Sequence, residues 1–366
     1  MSNNTENTIK INTDASNDDI ITKYCGNPIS DNEASIRTEN LSKRIDGRHI
    51  VNNMNFRIRR GSMFAMLGPN GAGKTTTTRL ITGMLHPSDG HVYIDNIEMN
   101  DQTGSYLRSY MGVQVDGNSY HDMTVIENLD LWAEIYNLDR QTKRTKIDTL
   151  LDGFTLTQYA DMNVSELSKG NRQKVQIARA LLIEPKFIFL DEPTSGIDPQ
   201  SSTLLMKSLR DLCEQHGSTV FLNTHRLQGL DGIVNNIGVM EDGSLIEYGD
   251  VNMMIHERWP ITEYELIITP DSMNGINNAN ITTRNDISRL VEAYATTRMP
   301  QHDYVINNGN LQYSFILSLK NMVKPEEIVR TLVNANVGIY EFRRIRKTIQ
   351  DLYLDKVKAG EWEDAE

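Results

Sequence analysis

Five consecutive apolar residues, Met63-Phe64-Ala65-Met66-Leu67, run straight into Gly68-Pro69-Asn70-Gly71-Ala72-Gly73-Lys74-Thr75-Thr76. A short apolar run, broken by glycines and followed from Thr75 by a helical pattern, predicts a buried strand, a tight loop and a helix. Two glycines framing four residues, then Lys and a hydroxyl residue, is the spacing that suits a polyphosphate. Glycines let successive N–H groups converge on the anion, Lys74 adds positive charge at the β and γ phosphates, and the Thr75 hydroxyl can ligate Mg2+. The helix that opens at Thr75 turns its positive end to the same anion.

Two more compact apolar segments, Phe187-Ile188-Phe189-Leu190 and Thr219-Val220-Phe221-Leu222, are separated by helical pattern. Strands alternating with helices predict an α/β fold with a largely parallel core sheet covered on both faces. From about residue 107 to 170 the texture is mainly helical, with Leu129, Ile135, Leu138, Ile147, Leu150 and Leu151 spaced between charges, which predicts an inserted helical subdomain. Past Pro260 the periodicity alternates between strand and helix: strands near Tyr264–Ile268, Tyr313–Leu319 and Val337–Phe342, helices near Ile287–Tyr294, Pro325–Val333 and Thr348–Val357. The expectation is a small α+β domain of ferredoxin-like type over 260–366, behind a main domain over 36–259. Residues 1–35 are rich in Asn, Ser, Thr and Asp and read as a solvated extension.

The acidic pair Asp191-Glu192 follows the strand ending at Leu190, at the carboxyl end where open α/β sheets bind ligands. Standing alone such a pair is an ordinary solvated turn. Beside a phosphate loop the two carboxylates can take separate roles: Asp191 holding Mg2+, and Glu192 polarising the water that attacks the γ phosphorus. His225, just after the strand Thr219–Leu222, can donate to a γ-phosphate oxygen.

Leu167-Ser168-Lys169-Gly170-Asn171 precedes the acidic strand, and Ser195-Gly196-Ile197-Asp198-Pro199 follows it. In the order phosphate loop, Ser168–Asn171 segment, Asp-Glu, His, the chain over roughly 36–250 resembles the ABC (ATP-binding cassette) ATPase family. The resemblance implies a P-loop NTPase fold, with ATP and Mg2+ as cofactors. It also implies that two cassettes pack head to tail, ATP lying between one subunit's loop and the other's signature Ser168, Lys169, Gly170 and Asn171. Asp198 matches the family's D-loop along that contact. Ser168 and Gly170 also stand at the start of a helical run whose N–H groups and dipole suit phosphate. One cassette per chain then requires a second copy or a homologous ATPase.

Three positions depart from the family's pattern. Ile45 stands where the family carries an adenine-stacking aromatic, and offers contact but no π face. Asp116 is the expected residue where the family has a metal-side Gln, with Gln114 as its rival. Lys169 and Asn171 replace the commoner Gly and Gln, a variation resembling drug, bacteriocin and lantibiotic-immunity exporters.

A net charge of -12 argues against nucleic acid as partner, because phosphate-backbone binding needs clustered Lys and Arg. Two cysteines, Cys25 and Cys213, suggest neither a disulfide framework nor a zinc site and fit a reducing compartment. The sequence shows no run of about 18 apolar residues that could cross a bilayer, so work on a membrane must pass through a separate integral permease, from the cytoplasmic face. A second class, a soluble ABC ATPase acting on ribosomes or DNA, would bring tandem cassettes or long coiled-coil arms, and neither is visible.

Overall fold

The computed structural model describes residues 29–115, 122–268, 284–298, 304–307, 310–319, 323–335 and 337–361. Backbone contacts divide the chain into two units, one comprising Met1–Met254 with Tyr353–Glu366, the other Ile255–Leu352. The expected division at residue 260 thus falls a few residues late, and the last segment groups with the first unit.

The first unit opens with β1 (Ala34–Ile45) and β2 (Arg48–Arg59), a hairpin closed by Asp46-Gly47. Both turn residues have positive φ, 49° and 78°, the geometry whose twist matches flanking strands. Of the expected extension, residues 1–28 lie outside the described residues, whereas Ala34 and Ser35 are already buried in β1. Next come β3 (Met63–Leu67), buried throughout, and α1 (Lys74–Ile81). The chain then forms β4 (Asp89–Ile94), β5 (Ile97–Glu98), α2 (Gly104–Arg108) and β6 (Met111–Gln114). A four-stranded antiparallel sheet, order β2-β1-β4-β5, results.

The helical subdomain contains α3 (Val125–Ile135) and α4 (Arg140–Gly153), two single 3-10 turns and α5 (Lys169–Leu181). Val125, Leu129, Ile147, Leu151, Val175 and Leu182 meet in its own core. Its expected start near residue 107 is corrected: Met111–Gln114 is an edge strand of the parallel sheet, paired with Phe187–Leu190. The four-residue strand is too short to show a period. Gly112 matters here, because a Cβ at that position would stand 2.0 Å from the Ala180 carbonyl oxygen of α5.

Then follow β7 (Phe187–Asp191), α6 (Pro199–His216), β8 (Thr219–Thr224), β9 (Asn236–Glu241), β10 (Ser244–Asp250) and α7 (Val251–Arg258). The second sheet has the order β10-β9-β3-β8-β7-β6, parallel except for β10. β3, β7 and β8 are buried along their whole length, as the apolar runs Met63–Leu67, Phe187–Leu190 and Val220–Leu222 require. Phe56 of β2 stacks on Phe64 of β3 at 5.6 Å, and Phe64 on Phe221 of β8 at 5.3 Å, so one aromatic row joins the two sheets.

The second unit has β11 (Glu263–Ile268), α8 (Arg284–Val291), β12 (Ala295–Arg298), β13 (Tyr304–Asn307), β14 (Asn310–Leu319), α9 (Pro325–Asn334) and β15 (Ile339–Arg344). The last helix, α10 (Ile349–Glu361), begins in this unit. All strands are antiparallel in the order β12-β14-β11-β15, with β13 an added hairpin strand on β14. Set beside the β-α-β-β-α-β chain order, this is the split arrangement of ferredoxin-like domains. Leu266, Ile268, Phe315 and Leu317 of the sheet share a core with Ile287 and Ile328 of α8 and α9.

Candidate nucleotide site

The carboxyl ends of β3, β7 and β8 place three motifs side by side. Parallel register puts Asp191 opposite Asn223, and Leu67 opposite Thr224, so the chain leaves all three strands at one edge. From β3 the backbone enters the loop through Gly68 (φ 152°), Gly71 (φ 88°) and Gly73 (φ 103°). A Cβ at Gly68 would stand 2.2 Å from the Met240 carbonyl oxygen, and one at Gly73 2.4 Å from that of Ile50, so neither position admits a side chain. Pro69, Asn70 and Gly71 form the exposed crest, Ala72 is buried, and Thr76 is half-buried.

Gly73 precedes α1, leaving the first N–H groups of that helix without a side-chain cap. Lys74 folds back under the loop, its Nζ donating to the carbonyls of Gly68 at 2.7 Å and Pro69 at 2.8 Å. Burial pulls this ammonium below the ordinary lysine range, a drop opposed by the carboxylates of Glu192 and Asp191. Thr75 Oγ1 donates to Asp191 Oδ2 at 2.5 Å. Those two oxygens, a hydroxyl and a carboxylate, are hard donors of the kind Mg2+ selects.

Glu192 takes a left-handed backbone conformation, φ 48°, at the end of β7. The bend aims its carboxylate at the end of β8, where Oε1 accepts from the His225 main-chain N–H at 3.0 Å and from His225 Nδ1 at 2.7 Å. Oε2 accepts from Thr224 Oγ1 at 3.2 Å. His225, expected to face phosphate, is thus hydrogen-bonded to the neighbouring carboxylate, and Thr224 is a partner that sequence alone did not suggest. Gln173 of α5 donates to the Glu192 carbonyl at 3.2 Å, tying the helix that carries the signature to the acidic turn.

Ser168 is exposed and caps α5, its Oγ accepting from the Asn171 N–H at 3.2 Å. Lys169 is exposed beside it. A Cβ on Gly170 would lie 2.4 Å from the Gly196 carbonyl oxygen, so signature and D-loop turns are in close contact. Among the described residues, neither turn hydrogen-bonds to the phosphate loop. Asp198 caps α6 by accepting from the Ser201 N–H at 2.9 Å, a bond that holds its carboxyl below the usual carboxylate range. Ile45 ends β1 as an exposed apolar side chain.

Asp116 lies outside the described residues. Its rival Gln114 is fully buried, with Oε1 accepting from the Asp191 N–H at 3.0 Å. That bond ties the Gln114 side chain to the main chain of β7.

A glycine-lined loop at a helix N-terminus, a buried lysine beneath it and two carboxylates beside it define a phosphate-loop nucleotide-binding cassette. The family model for ABC transporter proteins matches residues 51–195. The Nod factor export ATP-binding protein I of Burkholderia pseudomallei (strain 1710b) is 36% identical over 224 residues, 61% of this chain and 73% of that one. An uncharacterized ABC transporter ATP-binding protein, YcbN, of Bacillus subtilis (strain 168) is 29% identical over 310 residues, 82% of this chain and 97% of its own. Among solved structures, a dimeric ATP-binding cassette in a post-hydrolysis state with ADP and phosphate is 27% identical with a TM-score of 0.55, covering 59% of this chain and 98% of that one. The chain belongs to the ABC transporter ATP-binding proteins. It is an ATPase subunit whose hydrolysis of ATP drives transport.

Proposed function

We propose that this chain powers an exporter by binding ATP at the Gly68–Thr76 loop and hydrolysing it with Glu192 as the water-polarising base. The hydrogen-bonded set Thr75–Asp191 and Thr224–Glu192–His225 carries the reading. Mg2+ would be held by Thr75 and Asp191, with Asp116 as a further oxygen donor, and would neutralise charge on the β and γ phosphates. Lys74 exchanges its bonds to the loop carbonyls for the phosphates when nucleotide enters. Glu192 orients water, and His225 fixes the Glu192 carboxylate from one side while its remaining ring nitrogen is available to a phosphate oxygen.

Closure of the site requires the signature of a second cassette, Ser168 to Asn171 of a second copy or of a homologous ATPase. The dimeric form of the related cassette supports this. No helix among the described residues is long and apolar enough to cross a membrane, so coupling runs through an integral permease that holds the chain at the cytoplasmic face. The name of the Burkholderia relative supports export as the direction. A drug, a peptide or a bacteriocin-like compound as cargo rests on the Lys169 and Asn171 variation of the signature.

Affinity purification of the tagged chain from detergent-solubilised membranes of its host, with mass spectrometry and ATPase assay of the complex, tests the proposal. A stoichiometric polytopic membrane protein that raises turnover is the expected result. Recovery with ribosomes, or with soluble partners alone, would overturn it.

A further inference from the structure

Asn223 is fully buried in β8, directly beside Asp191 in the parallel register of β7 and β8. Its Nδ2 donates to Asp191 Oδ1 at 3.3 Å and to Thr78 Oγ1 at 2.8 Å. Thr78 is itself buried, on the helix that begins with Lys74 and Thr75. The Asn223 carbonyl accepts from the Glu192 N–H at 2.9 Å. One side chain therefore ties the phosphate-loop helix to the first carboxylate, and its own main chain holds the second.

Packing does not explain this amide. Along β8 it follows the buried apolar residues Val220, Phe221 and Leu222, and Asn223 Oδ1 has no hydrogen-bond partner. An unmet buried oxygen is destabilising, and an aliphatic side chain of similar size would remove it. Turning the amide over would let Oδ1 accept from the Thr78 hydroxyl, but it would set that oxygen against the acceptor-only carboxylate of Asp191 and leave the NH2 where Oδ1 now has no partner. What the amide supplies is its pair of N–H groups. Asp191 is in turn held at three points: Oδ1 by Asn223, Oδ2 by Thr75 and its N–H by Gln114.

We propose that Asn223 is a positioning residue: its amide fixes the Asp191 carboxylate with Oδ2 turned to Thr75, and so sets how tightly the site takes Mg2+ together with ATP. This rests on the assignment of Asp191 and Thr75 to Mg2+ above. Without the amide, Oδ1 of Asp191 loses its donor and the carboxylate is free to rotate away from Thr75.

Threonine and valine have nearly the same shape and differ in one hydroxyl donor, so Asn223→Thr and Asn223→Val separate hydrogen bonding from packing. The readout is equilibrium binding of a non-hydrolysable ATP analogue to the full chain, by calorimetry, across Mg2+ concentrations and in EDTA. Loss of a charge-assisted bond should raise the Mg2+ concentration for half-maximal tightening by about tenfold or more in Asn223→Val. Asn223→Thr should stay within about threefold of the native chain, since a neutral hydroxyl donor restores most of the bond. Affinity in EDTA should be unchanged in both. An unshifted Mg2+ dependence in Asn223→Val, equal shifts in the two variants, or equal weakening in EDTA would each overturn the assignment. If Asn223→Val does not fold, Asn223→Ala against Asn223→Ser makes the same comparison. Asp191→Asn serves as control: if it leaves the Mg2+ dependence intact, the fault lies in the ligand assignment and not in Asn223.

Discussion

Replacing Glu192 with Gln exchanges one carboxylate oxygen for an amide nitrogen while keeping the side chain's shape. The surroundings of that oxygen determine what else changes. Oε1 accepts two bonds from His225, at 2.7 and 3.0 Å, and a Gln carbonyl oxygen can accept both. Its NH2 would then meet Thr224 Oγ1, which at present donates to Oε2 at 3.2 Å. That hydroxyl has another acceptor in the Arg226 carbonyl at 3.3 Å, so it can turn and accept from the amide. Rearrangement should therefore change nucleotide affinity by no more than about threefold, the scale of a fraction of one hydrogen bond. Turnover is a different matter, because a neutral amide cannot polarise water. Loss of a general base lowers kcat by about 10²–10⁴-fold, or roughly 2.7–5.4 kcal/mol of barrier at 1.36 kcal/mol per decade. Phosphate release under saturating ATP and Mg2+, paired with nucleotide binding on the same preparation, measures both quantities. A Glu192→Gln chain that turns over within about tenfold of native would refute the role of Glu192, since no base contribution of the usual size could then be present.

Lys74 meets phosphate in its protonated form, and burial lowers its pKa in the free site. Above that pKa, binding a polyanion must take up a proton, so ATP affinity should fall on an alkaline limb that begins below the ordinary lysine range; the limb should vanish in Lys74→Ala. Gly112→Ala should destabilise the first unit by about 1–3 kcal/mol in denaturant titration, because the new methyl meets backbone at Ala180 and the Pro185 ring at 2.7 Å. Stability within about 0.5 kcal/mol of native would mean that α5 yields easily, against the usual behaviour of packed interiors. Burial pushes the Cys213 thiol up to about 12, so in a Cys25→Ser background a maleimide should label the chain only as it unfolds; rapid labelling under native conditions would show that α6 opens locally.

The parallel sheet was legible because its strands are buried on both faces and read as unbroken apolar runs between glycines and carboxylates. The antiparallel sheet escaped notice for the opposite reason. β1 and β2 are long, half-exposed and rich in Asn, Arg and Ser, so no compact apolar run marks them. A signal was nevertheless present in two two-residue turns, Asp46-Gly47 and Asp95-Asn96, both with positive φ and each closing a hairpin of that sheet. In the site, residues next to each other in sequence could be read: the loop with Lys74 and Thr75, and the Asp191-Glu192 pair. The contacts of Asn223, Thr224 and Gln173 could not, since they depend on β7 lying against β8 and on α5 packing beneath the acidic turn. No local pattern carries strand order. Gln114 illustrates the same limit, because its commitment to the Asp191 N–H follows from the pairing of β6 with β7.

The left-handed bend at Glu192 has a bearing on how this enzyme can be engineered. Such a conformation costs a residue with a β-carbon about 1–2 kcal/mol, and Gly or Asn tolerates it better. A library screened for heat resistance alone should therefore enrich Gly or Asn at position 192, and the hardier proteins recovered would have lost the carboxylate that attacks the bond through water. Selection on melting temperature and on phosphate release would pull this one codon in opposite directions, so a useful screen has to score both.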